Sequence, residues 1–165
     1  MMIRNTVCFF AMAAACTCTL AQDAVFQTKS LTPESALAVA KSALESCRKE
    51  GYQVAVAVVD RAGLTQVILR DRFAGPHTPD VAANKAWTAV SFKTSTLALS
   101  HETQAGRPMS GLRSHPRFLA AGGGVTIEGA GSLLGAVGVS GAPGGDADDS
   151  CAKAGIKSIA ESLEF

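Results

Sequence analysis

Gly122-Gly-Gly-Val-Thr-Ile-Glu-Gly-Ala-Gly-Ser-Leu-Leu-Gly-Ala-Val-Gly-Val-Ser-Gly-Ala-Pro-Gly144 is the stretch on which the fold turns. Val125, Thr126 and Ile127 favour a strand, Glu128 to Gly131 has turn composition, and Leu133 to Val139 returns as a second strand before a glycine-rich exit. Glycine weakens a strand, so Gly135 and Gly138 mark places where another backbone or a ligand comes close. The return strand is therefore expected to be central and covered. Ser140 to Gly144 is expected to form a mobile or ligand-facing lip.

Working outward, the 14 acids include Asp146, Asp148 and Asp149, which open a final helix with their charges at the favourable end of its dipole. Upstream, Gln104 to Arg117 carries prolines, glycines, three arginines and His115 without any period, and reads as a long ordered loop, a kind that is usually functional. Phe118 to Ala120 is a candidate short strand. Before the loop, Thr78-Pro79-Asp80 opens a helix running from Val81 to about Phe92 along an alanine ridge, and Ser95 caps a short helix to about Glu102. Tyr52 to Asp60 is apolar on both faces and reads as an interior strand. Asp60 to Gly63 turns it into an antiparallel partner, Leu64 to Arg70. Leu31-Thr32-Pro33-Glu34 starts an amphipathic helix whose stripe is Leu37, Ala40, Leu44 and Cys47, stopped by Gly51. Strands joined by tight turns imply an antiparallel sheet, so the fold class is α+β.

The first 21 residues stand apart. Arg4, the apolar run Val7 to Ala15 and the ending Thr19-Leu20-Ala21 have the form of an export signal cut before Gln22. Ala13-Ala14-Ala15-Cys16 supports a lipid-anchored alternative, though leucine is missing three places before the cysteine. Residues 22–165 form one domain, long enough to bury its own core. Of 15 basic residues only Arg4 leaves with the signal, so 14 bases face 14 acids, which argues against nucleic acid or an anionic membrane as a bulk-charge partner. Of five cysteines, Cys47 and Cys151 remain. They read either as one disulfide of an oxidising compartment or as two buried thiols.

Gly138-Val139-Ser140-Gly141 fails the spacing of a nucleophile elbow, the glycines lack dinucleotide or phosphate-loop spacing, and His77, His101 and His115 lack zinc spacing. What remains is Lys85 inside a helix of small residues, either snorkelling or meeting an anion, with Arg72 and His77 flanking the loop before it.

Asp80-Val-Ala-Ala-Asn-Lys85-Ala-Trp-Thr-Ala89, Gly106-Arg107-Pro108, Gly123-Gly124-Val125, and above all Gly135-Ala-Val-Gly-Val-Ser-Gly141 followed by Asp146 resemble the GlcG/HbpS family, which includes heme-binding HbpS, GlcG and the C-terminal domain of PduO-type proteins. The resemblance runs from about Leu31 to Ile159. It implies a profilin-like, five-stranded antiparallel sheet between helices, assembly into oligomers, often octamers, and a heme or corrinoid ligand. It also implies a threonine near the end of the second helix as a ligand residue, Thr96 or Thr94 here. Thr126 and Trp87 depart from the family pattern, and Trp87 would partly fill a pocket lined by that helix.

The resulting expectation is an exported protein binding heme or a related tetrapyrrole in a cleft between subunits. The cleft would be lined by Trp87, Thr96, Gly123, Gly124, Ser140 and Gly141, with Arg72 and Lys85 for the propionates and His77 as axial ligand. Val125 and Val139 would add apolar walls. Two alternatives stand beside it: a small-molecule enzyme using Lys85 and His77 as acid and base, and a ligand-free structural oligomer.

Overall fold

The computed structural model describes residues 24–164, so the export signal expected at residues 1–21 lies outside the described residues. Thr32 accepts a hydrogen bond from the Ser35 N–H at 3.2 Å and Pro33 follows it, opening helix α1, Pro33–Lys49. The chain leaves α1 through Gly51 at φ +82° and enters strand β1, Ala55–Asp60, which turns into β2, Thr65–Arg70. Helix α2, Thr78–Phe92, and the short α3, Thr96–Glu102, come next. The expected hairpin is β3, Gly124–Gly129, and β4, Ser132–Ser140, and α4, Gly145–Lys157, closes the domain.

The four strands form one antiparallel sheet in the order β2-β1-β4-β3. Both strands read as interior, β1 and β4, occupy the centre. The expected fifth strand is missing: 118–120 is irregular, because Thr88 already binds its backbone, accepting from the Leu119 N–H at 3.0 Å. Two boundaries also differ from expectation. Helix α2 begins at Thr78 with His77 as its cap residue and no side-chain cap bond, since the Thr78 hydroxyl donates to the Gly75 carbonyl instead. Leu37 is turned toward solvent, and the buried stripe of α1 is Ala36, Val39, Ala40, Ala43, Leu44 and Cys47.

The faces of the sheet differ in side-chain size, and that difference assigns the helices. Val54, Val56, Val58, Ile127, Val137 and Val139 form a thick apolar layer under α1 and α4. On the other face Ala55, Ala57, Val59 and Ala136 meet Ala82, Ala86 and Ala89 of α2. With so little side chain between them, α2 lies backbone to backbone on β4. A Cβ at Gly138 would overlap the Ala82 carbonyl oxygen and come within 2.7 Å of the Ala86 nitrogen. The close approach expected at Gly138 is therefore the helix itself. Gly138→Ala must push α2 off the sheet, and urea unfolding is expected to show a loss of about 1–3 kcal/mol.

Cys47 on α1 and Cys151 on α4 are joined by a disulfide, with 5.5 Å between their Cα atoms. At the end of α1, Arg48 grips Asp71 with two bonds, Nε to Oδ2 at 2.6 Å and Nη2 to Oδ1 at 2.8 Å. The guanidinium holds the Asp71 carboxyl below the usual carboxylate range despite its burial. This clamp ties α1 to the loop that leads into α2.

Candidate ligand site

Where β4 ends and α2 begins, the chain leaves an open hollow of about 580 Å³. One wall is the start of α2 with His77 and Thr78, a second is the lip from Ser140 to Gly145, and a third is the 51–53 turn after α1. Lys85 and Asp148 lie at its floor.

Lys85 stands two turns beyond Thr78 and so points along the same face of α2. Its Nζ donates to Asp148 Oδ2 at 2.8 Å and to the Val139 carbonyl at 2.9 Å. Both side chains are almost fully buried, at 4% and 5% exposed. Of the two readings of Lys85, outward snorkelling is corrected and the anion contact is met, but internally, by a carboxylate from the far end of the chain. Asp148 Oδ1 also accepts from the Ala142 N–H at 3.0 Å, so one carboxylate ties the lysine to the lip. Burial pushes the Asp148 carboxyl up, against the opposing pull of Lys85.

The glycines make this meeting possible. The Gly123 backbone has φ +112°, and a Cβ there would lie 2.6 Å from the Asp148 Cβ and 3.2 Å from Lys85 Nζ. At Gly124 a Cβ would meet the Lys85 carbonyl at 2.5 Å. Gly123 and Gly124 thus sit beside the lysine, as the sequence implied, but as the gap through which α2 reaches α4. Thr96 locks the same segment: it is fully buried and its hydroxyl accepts from the Gly124 N–H at 2.8 Å. It supports the floor from behind and does not line the hollow.

Of the other expected site residues, His77, Ser140 and Gly141 line the hollow with Lys85. Arg72 is exposed and outside it, although its neighbour Phe73 is in the wall. Trp87 points elsewhere. Its ring stacks on His115 at 5.4 Å and lies 4.7 Å from the Arg117 guanidinium carbon, so it neither fills nor walls the hollow. Val139 and Val125 pack with the core under α1 and α4, so the expected apolar walls are replaced by Tyr52 and Phe73. Among the described residues no group of three or more His, Cys, Asp or Glu is placed to hold a metal ion.

Asp148, Gln53, Tyr52 and Phe73 also line the hollow, and the sequence does not mark them as site residues. Asp148 had a signal, but three acids in one helical turn are equally well explained by the helix dipole.

The model of the family described as haem degrading protein HbpS-like matches residues 31–157. The chain belongs to the HbpS-like family. Its fold superposes on the Streptomyces reticuli HbpS double mutant with a TM-score of 0.76 at 38% identity, covering 83% of this chain and 92% of that one. The PduOC:heme complex superposes with a TM-score of 0.75 at 32% identity, over 79% of this chain and 95% of the other. Corrinoid adenosyltransferase PduO of Salmonella typhimurium is 36% identical over 103 residues, which are 61% of this chain and 31% of PduO. This HbpS-like chain therefore matches under a third of that longer protein.

Proposed function

We propose that this protein binds heme or a related tetrapyrrole in the hollow between the start of α2 and the β4 lip. The observation that carries the reading is the pairing of an exposed imidazole, His77, with the aromatic side chains Tyr52 and Phe73 in the wall of one hollow of about 580 Å³. That volume lies within the range of small-molecule sites, and the aromatic walls suit a flat apolar ring. Bound heme would supply an iron that accepts a nitrogen ligand, and His77 is the lining residue with one to offer. Lys85 does not suit a propionate, because Asp148 already neutralises it. The exposed Arg72 beside Phe73 is the better partner. The PduOC:heme complex, which shares this fold, adds support.

Export, and assembly of several subunits with the hollow facing a neighbour, belong to the same proposal. Phe73 is 80% exposed at the rim, which suits either a ligand or a second subunit covering it. An acid–base reaction of Lys85 with His77 finds less support, since Lys85 is committed to Asp148 while His77 stands in the open.

Hemin titration tests the reading. The expected result is a saturable Soret shift at micromolar hemin, and in His77→Ala a changed Soret position with weaker binding. A protein that leaves the hemin spectrum unaltered would rule heme out, and an unchanged spectrum in His77→Ala would rule out His77.

A further inference from the structure

On the floor of the hollow and the two walls that rise from it, three polar groups have bonding capacity that no described residue uses. Lys85 Nζ carries three hydrogens and donates two of them, to Val139 and Asp148. The Ser140 hydroxyl, in a residue only 6% exposed, has no partner among the described residues. The Gln53 side-chain oxygen is buried without a partner in the same wall. Buried polar groups are normally satisfied, so the unpartnered Gln53 oxygen, on one hollow with an ammonium and a hydroxyl that have hydrogens to spare, asks for a ligand.

The charge at that floor decides what kind of ligand. Lys85 and Asp148 cancel, so a carboxylate placed there would bring a second buried negative charge against a single ammonium. Burying a charge without its own counterion is costly, whereas a neutral oxygen accepts the same hydrogen bonds at no such cost. We infer that the floor of the hollow is a subsite for a neutral carbonyl with an N–H beside it, as in an amide or lactam, its oxygen taking hydrogens from Lys85 and Ser140 and its N–H donating to Gln53. The inference rests on the hollow being the ligand site, and not on the ligand there being heme.

Benzamide and benzoate are the probes, equal in size and differing in charge at pH 7, titrated into the full protein and followed by ligand-observed NMR. Benzamide is expected to bind saturably and at least about tenfold more tightly than benzoate, which lacks the N–H for Gln53 and brings a charge without a counterion. Ser140→Ala, checked for its fold by near-ultraviolet circular dichroism, is expected to weaken benzamide about three- to tenfold, the worth of one neutral hydrogen bond. Benzoate binding as well as or better than benzamide would overturn the inference, as would no binding of either at millimolar concentration or an unaffected Ser140→Ala. Hemin titration of the same samples separates the two readings. A benzamide preference without a Soret shift removes heme alone, and a Soret shift without that preference removes the amide subsite alone.

Discussion

Lys85→Met is expected to lower stability at pH 7 by about 3–5 kcal/mol, the usual result of leaving one member of a buried ion pair alone. Methionine matches the lysine stem in volume, so the effect falls on Asp148, which is left 5% exposed with only the Ala142 N–H for company. The pH dependence identifies the cause. Asp148 already has a raised pKa from burial, and removing Lys85 takes away the charge that opposed the rise. A carboxyl that binds its proton more tightly folded than unfolded stabilises the fold below its unfolded pKa, and that contribution is lost as pH rises through the folded value. The variant is therefore expected to lose less stability at pH 4 than at pH 7. Adding Asp148→Asn, which keeps the bond to Ala142 and removes the charge, is expected to recover most of the loss at pH 7. Urea curves for the two singles and the double close the cycle. A double variant no more stable than Lys85→Met would show that packing of the lysine stem, and not charge, was lost.

Removing the disulfide with Cys47→Ala and Cys151→Ala is expected to cost up to roughly 4 to 5 kcal/mol in the chain-entropy account. The bridge spans 104 residues and joins the first helix to the last, so the unfolded chain gains most of its freedom when it is cut. The same bond lies one helical turn beyond Asp148 on α4, and it anchors the helix that carries the floor of the hollow. Thermal unfolding of oxidised, reduced and double-alanine protein reads the effect. Equal midpoints for oxidised and reduced protein would show that α1 and α4 need no cross-link. Two reactive thiols in unfolded, unreduced protein would show that the bond does not form.

Much of this architecture was legible in local pattern. The α1 start at Thr32-Pro33, the unbroken valine and alanine run of β1, and the glycine hairpin each obey short-range rules of capping, periodicity and turn chemistry. Gly138 was legible as a place of close approach because glycine in a central strand is costly unless something occupies the space. The short strand expected at 118–120 was not, since a distant residue, Thr88, takes its backbone. The direction of Trp87 is illegible for a related reason: its sequence position names the helix, while its partners His115 and Arg117 come from a loop with no period.

By itself the chain determined the helices, the four strands of the antiparallel sheet with β1 and β4 inside, and the family, because each rests on spacings of a few residues or on a continuous motif, whereas it left Cys47 and Cys151 open between a disulfide and two thiols until the fold brought them together. Only the tertiary structure decided that Lys85 is neutralised by Asp148, 63 residues away, that Thr96 braces the glycine segment, and that Trp87 faces away from the hollow. Charge compensation in a buried site depends on which side chains meet across packed layers, and contacts of that range leave no period in the sequence.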